Sequence, residues 1–95
     1  MTLRIFAEDR DRRAVISLHG WLSRAEVGEL DRVAAEAQPP VTIDLAHLVG
    51  VDTDGLRALR GHQGRGARLV GASPFIELLL ARTAGRDDTS SGGAK

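Results

Sequence analysis

The chain is defined first by what it lacks. It has no cysteine and no tyrosine, and its only aromatic rings besides histidine belong to Phe6, Trp21 and Phe75. The absence of cysteine excludes disulfides, thiol catalysis and cysteine-ligated zinc or iron–sulfur centres. Thirteen basic and thirteen acidic residues give a formal net charge of zero, which is unlike the basic excess of a nucleic-acid-binding protein, and so few rings cannot build a base-stacking platform. We therefore expect no nucleic acid as a partner, and a protein surface instead.

Long apolar runs are also missing. No stretch approaches the ~20 apolar residues that span a bilayer, and the N-terminal sequence lacks a basic segment followed by an apolar one. With 95 residues, 42% of them hydrophobic, the chain is expected to form one globular core. We expect a cytoplasmic protein that does not insert into a membrane.

Two β-branched stretches, LRIFAE and AVISLHG, are separated by the charged run DRDRR, and this pattern predicts an N-terminal hairpin. The following segment has Ser23 and, three residues later, Glu26, which is the capping-box pattern at the start of a helix. Because the segment reaches Pro39 and Pro40, which cannot continue a helix, we predict that the helix ends near Gln38.

The second half of the chain alternates strand and helix patterns. VTIDLAHL predicts a buried central strand, DTDGLRALRGHQGRG a helix that ends among glycines, and ARLVGA a strand. SPFIELLLARTAG has a serine cap, a proline at the first helical position and Gly85 as the stop. The predicted fold class is α/β, a small mixed sheet of about four strands with helices packed on it, in the order β-β-α-β-α-β-α. We assign residues 1–85 to this domain and residues 86–95 to a disordered polar tail.

One stretch, VTIDLAHLVGVDTDGLRAL, carries a specific motif. A buried strand ending in Asp-Leu leads to an aspartate, a hydroxyl residue, one further residue, and Gly-Leu at a helix start. These positions are Asp44, Leu45, Asp52, Thr53, Gly55 and Leu56. The stretch resembles the central motif of STAS domains, the family of anti-sigma-factor antagonists and of the cytoplasmic ends of sulfate transporters. The resemblance covers about residues 3 to 84, because ISLHGWL and GARLVGASPFIELLLAR also match.

The resemblance implies a stand-alone, non-catalytic regulatory domain that works by partner switching in transcription. In such antagonists the residue after the aspartate accepts a phosphate from a serine/threonine kinase that is itself the anti-sigma factor. That residue is Thr53 here, and its place at a helix N-terminus suits an anion. Asp54 departs from the family pattern, because it stands where Ser, Thr or Ala is common and would repel the phosphate by about 1 kcal/mol or less. Leu22 and Ser23 also replace an acidic residue that many antagonists carry.

The same residues resemble a second group, the small STAS subunits that dock on the ATPase of lipid-trafficking ABC transporters. In those the threonine is a contact residue and needs no phosphorylation. Under either resemblance the partner-binding residues are expected at this helix start and at the end of the second strand, which the family fold brings close to it, namely Asp52, Thr53, Asp54, Gly55, Leu56 and Trp21.

Simpler interpretations of these residues stay open. Asp52 or Thr53 could serve only as the helix cap, and Trp21 could be a packing residue. The three histidines, His19, His47 and His62, are scattered along the sequence, so we predict no metal site and no cofactor. Asp44 and Asp52 could suggest paired carboxylates, but no nucleophile or oxyanion donor accompanies them, and we predict no enzymatic activity.

Overall fold

A computed structural model describes residues 3–82. The elements follow the predicted order: β1 Leu3–Arg10, β2 Arg13–Leu22, α1 Arg24–Glu36, β3 Val41–Val51, α2 Thr53–Gly64, β4 Arg68–Val70, and α3 over 74–82, where the description ends. The predicted tail at 86–95 and the helix stop at Gly85 lie outside the described residues.

The sheet is mixed, with strand order β1-β2-β3-β4. The hairpin of β1 and β2 is antiparallel, whereas β3 is parallel to both β2 and β4 because a helix connects each pair. The charged run predicted as a turn supplies only two turn residues, Asp11 and Arg12, with φ of 52° and 66°. Positive φ at both positions is the geometry that lets a two-residue turn match the twist of its strands.

Several element boundaries differ from prediction. The strands β1 and β2 both extend beyond their predicted stretches, to Arg10 and to Leu22. The first helix ends at Glu36, with Ala37 in an extended conformation after it. The strand β3 runs to Val51, past the predicted end, while β4 contains only three residues. The strand β4 stops because Gly71 turns the chain with φ 74°, and a side chain at Gly71 would meet the Asp44 carboxylate at 2.7 Å.

The core lies on one face of the sheet. Alternate residues of β2 and β3 point to this face, where residues of all three helices cover them. The fully buried members are Ile16, Leu18, Leu22, Leu30, Ile43, Leu45, Leu59 and Ile76. No helix within residues 3–82 is long and apolar enough to cross a membrane.

One polar side chain is buried with this core. His62 of α2 has a 2.8 Å contact between its Nε2 and Asp31 Oδ1 on α1, and its Nδ1 lies 3.2 Å from a guanidinium nitrogen of Arg65. Since a guanidinium nitrogen only donates, Nδ1 accepts and Nε2 carries the hydrogen that is donated to Asp31. This network joins the two helices at the end of the domain away from Thr53.

Candidate functional site

The two helix starts lie at one edge of the sheet. The strands β2 and β3 are parallel neighbours, and Leu22 pairs with Val51 where both strands end. The helix α1 begins at Arg24 and α2 at Thr53, so both N-termini follow directly from adjacent strand ends. The sequence motif is therefore displayed beside a second helix start.

Asp52 forms hydrogen bonds to both of these helix starts. Its Oδ1 accepts a hydrogen bond of 2.8 Å from the backbone N–H of Gly55, and its Oδ2 accepts one of 2.9 Å from the backbone N–H of Arg24. Its own backbone N–H donates to the carbonyl of Leu22 at 3.1 Å. Asp52 is thus the N-cap of α2, and the choice that the sequence left open between Asp52 and Thr53 is resolved. The backbone hydrogen bonds from Gly55 and Arg24 favour the charged carboxylate and lower the pKa of Asp52.

Thr53 is the first residue of α2 and is exposed. The preceding Asp52 takes up the N–H of Gly55, so Thr53 lies at the exposed helix start and is not the capping residue. Asp54 follows it and lies 3.6 Å from the guanidinium of Arg57 one turn later. This ion pair partly offsets the negative charge that the sequence places beside Thr53, although the side chain of Arg57 is 71% exposed and that of Asp54 44%, so that water screens the effect.

Gly55 and Leu56 are buried, so they support the turn rather than form its surface. A side chain at Gly55 would lie 2.5 Å from Val51 Cγ2 and 2.6 Å from the carbonyl oxygen of Leu22. Only glycine allows the start of α2 to approach the ends of β2 and β3 this closely. Leu56 anchors the first turn of α2 in the core.

Trp21 belongs to the same edge. It pairs with Gly50 across β2 and β3, and its ring covers that glycine so closely that an added Cβ would lie 2.5 Å from the ring. The side chain remains 37% exposed. The tryptophan therefore packs on the strand end, and the rest of its ring surface is exposed next to the residues that precede Thr53. Its contact with a partner stays a prediction.

A groove between α1 and α2 begins beside this turn and was not predicted. It encloses about 490 Å³, and its charged lining includes Arg24, Asp54, Arg57 and Arg65. Small residues make the groove possible, because Gly28 in the middle of α1 has nothing within 4 Å of an added Cβ. In the sequence, the signal for this groove was Gly28, a glycine inside a predicted helix where no close packing requires one.

The remaining candidate groups do not assemble into a reactive site. Asp44 precedes Asp52 by a length of strand of roughly 25 Å, and its carboxylate accepts a hydrogen bond from the backbone N–H of Ala46 at 3.0 Å. His19 and His47 do meet, with ring centroids 4.4 Å apart across β2 and β3. Within residues 3–82, however, no three metal-ligating side chains of the His, Cys, Asp or Glu types come together.

Comparison with proteins of known structure identifies the fold that carries this turn. No family model matches the chain, and no curated protein matches it. The anti-sigma factor antagonist SpoIIAA in its unphosphorylated form is similar in structure, with a TM-score of 0.63 and 19% identity over 82% of each chain. An antisigma-factor antagonist STAS domain from Rhodobacter sphaeroides has a TM-score of 0.55 and 28% identity, over 76% of this chain and 92% of its own. In fold, the chain is a STAS-like domain.

Proposed function

We propose that this protein is an anti-sigma-factor antagonist that acts in the cytoplasm without catalytic activity of its own. Its partner in this proposal is an anti-sigma factor that is also a serine/threonine kinase. The form with a free Thr53 hydroxyl docks on the partner, and phosphorylation of Thr53 releases it. Asp52, Thr53, Asp54 and Trp21 form the contact surface, while Gly55 and Leu56 hold its shape.

The observation that carries this proposal is the exposed Thr53 on a turn that is fixed independently of it. Asp52 supplies the helix cap and binds both helix starts, so a change at Thr53 alters the surface without loosening the turn. The two structural neighbours described as anti-sigma-factor antagonists support the class of partner.

Phosphorylation at Thr53 would act on docking through charge. The phosphate adds nearly two negative charges. Within this protein the first N–H groups of α2 and the positive end of the helix dipole stabilise these charges. A partner surface fitted to the neutral hydroxyl would have to bury those charges, and this cost favours release. The nearby Arg57 reduces the repulsion from Asp54 without removing it.

The test is affinity capture from the native lysate with the wild-type protein and with Thr53→Ala, Thr53→Ser and Thr53→Glu, followed by mass spectrometry. Trypsin cleaves after Arg32 and Arg57, and the resulting peptide contains Thr42 and Thr53 as its only hydroxyl residues. We expect a kinase-type anti-sigma factor to be captured by the alanine and serine variants and lost with glutamate. Fragment ions of this peptide should locate the phosphate on Thr53. In the control variant Thr42→Ala, Thr53 should still be phosphorylated. Equal capture by the alanine and glutamate variants would refute the phosphorylation switch.

A second function rests on Asp54. A fixed carboxylate beside Thr53 is compatible with a contact that never becomes phosphorylated, as in a STAS subunit docked on the ATPase of a lipid-trafficking ABC transporter. In that case the capture experiment should return an ABC ATPase, and Thr53 should be unmodified. A large residue at Thr53 should then lower the ATPase activity of the captured complex.

A further inference from the structure

The strand β1 forms one edge of the sheet. It pairs with β2 along its whole length of eight residues, and no other strand among residues 3–82 pairs with it. The backbone N–H and C=O groups on its outer side are therefore available to a further strand. The opposite edge is less suitable, because β4 has three residues and ends at the turn of Gly71.

The side chains of β1 divide between the two faces of the sheet. Leu3 and Ile5 pack against the core, and alternation places Arg4, Phe6 and Glu8 on the opposite, open face. Phe6 is 51% exposed. The ring contacts His19 of β2 edge-on, with 4.9 Å between the ring centroids, and Glu8 forms an exposed ion pair with Arg10. About half of the Phe6 side chain nevertheless stays exposed between a cation and an anion, on an edge that no other strand among residues 3–82 covers.

We propose that β1 pairs with β1 of a second copy of this chain, in an antiparallel register centred on Phe6. In this register Phe6 faces Phe6 of the second copy across a two-fold axis. Arg4 then faces Glu8 of the second copy, and Glu8 faces Arg4, so two opposite-charge pairs flank the aromatic pair on the open face. On the core face, Ile5 faces Ala7. The strand is complementary to itself, as an interface with two-fold symmetry requires.

The neighbouring registers lack this complementarity. A shift by two residues in one direction places Arg4 opposite Arg10 of the second copy and Glu8 opposite Phe6. A shift by two in the other direction places Arg4 opposite Phe6 and leaves Glu8 without a cation opposite it. A shift by one residue would turn the helices of the second copy to the other face of the sheet. Only the register centred on Phe6 keeps all helices on one face and pairs both charges.

Charge reversal tests the register directly. In Arg4→Glu both facing pairs become Glu–Glu, and in Glu8→Arg both become Arg–Arg, so each variant should dimerise about tenfold more weakly than the wild type. An equimolar mixture of the two variants restores both opposite-charge pairs, and only in the mixed dimer. Arg4 and Glu8 of one chain are four residues apart on an extended strand and do not contact each other, so an effect within one chain cannot produce this recovery.

We would measure the mass distribution of the full chain by sedimentation velocity and native mass spectrometry over a concentration series. The expected result is a wild-type dimer that grows with concentration, and a mixed dimer that exceeds both variant homodimers. A wild-type mass of one copy at every concentration, or a mixture no more dimeric than its components, would overturn the proposal.

Because the chain contains no cysteine, a single introduced thiol gives a second test. Phe6→Cys should form a disulfide-linked dimer under mild oxidation, since position 6 faces itself across the axis. Phe75→Cys is the matched control, because Phe75 is 58% exposed but lies on α3. Equal cross-linking of the two variants would contradict the proposed axis. Thr53→Glu should leave the dimer unchanged. Failure of the dimer proposal can therefore be distinguished from failure of the proposed docking function.

Discussion

Removing the Asp52 carboxylate tests how the candidate site is held together. In Asp52→Ala the backbone N–H of Gly55 loses its cap, which costs about 1 kcal/mol. The N–H of Arg24 also loses its acceptor, and because it is exposed water replaces the bond at a further cost of ~0.5–1 kcal/mol. We expect the free energy of unfolding to fall by about 1.5–2 kcal/mol, which in a domain of this size lowers the midpoint of thermal unfolding by roughly 8–12 °C.

Urea unfolding provides the assay, with circular dichroism reporting the helices and the fluorescence of Trp21 reporting the strand end beside the turn. Asp54→Ala is the matched control. It removes a carboxylate two residues away whose ion pair with Arg57 is exposed, and should cost about 0.5 kcal/mol or less. Equal losses in the two variants would refute the assignment of Asp52 as the residue that joins the helices.

The same carboxylate predicts a pH dependence. Its folded-state pKa is lowered from the ordinary value of 3.8, so its stabilising contribution is complete above that value and is lost as the pH falls through the folded pKa. The stability difference between the wild type and Asp52→Ala should therefore be constant near neutral pH and should shrink in acid below about pH 3.8. The change is modest because the side chain is exposed to solvent. A difference that grew on acidification would contradict the sign of the shift.

Four further substitutions test the packing, three of them by urea unfolding and Gly50→Ala by the fluorescence of Trp21. On α2, Gly55→Ala should lower the free energy of unfolding by about 1–3 kcal/mol, because the added Cβ meets rigid atoms. Gly61→Ala should raise it by ~0.5–1 kcal/mol, because the nearest neighbour there is the end of a flexible side chain at 3.7 Å. Equal effects of the two substitutions would contradict this account. Gly50→Ala should displace the ring of Trp21 and shift its emission to longer wavelength, and an unchanged spectrum would show that the ring does not cover the glycine. His62→Ala should cost about 2–3 kcal/mol through the cavity and the lost network, and a loss below ~1 kcal/mol would show that the buried imidazole is dispensable.

The element order was predictable because its signals are local. The capping box at Ser23, the two prolines before β3 and the glycines at the end of α2 each act within a few residues of the boundary they set. Strand lengths were less predictable, because they depend on neighbours. The strand β3 extends to Val51 since β2 runs beside it to Leu22.

The organisation of the site required contacts between distant parts of the chain. Asp52 and Thr53 are both suitable caps, and no local pattern distinguishes them. The bond from the N–H of Arg24 to Asp52 joins residues 28 positions apart. The meeting of His19 and His47 likewise depends on the register of two parallel strands, so histidines that are scattered in the sequence become neighbours in the sheet.

The two proposed surfaces are compatible in one molecule. A two-fold axis through the Phe6 pair, perpendicular to the sheet, reverses the strand direction of the second copy and keeps its helices on the same face. The two Thr53 turns therefore lie at opposite ends of the joined sheet, and both stay uncovered. One partner molecule therefore cannot contact both turns, and each turn should bind its own partner. We expect two partners per dimer, and the affinity of each turn should be unchanged by Arg4→Glu, which separates the copies. A calorimetric titration with the captured partner would show this, and one partner per dimer would contradict the proposed axis.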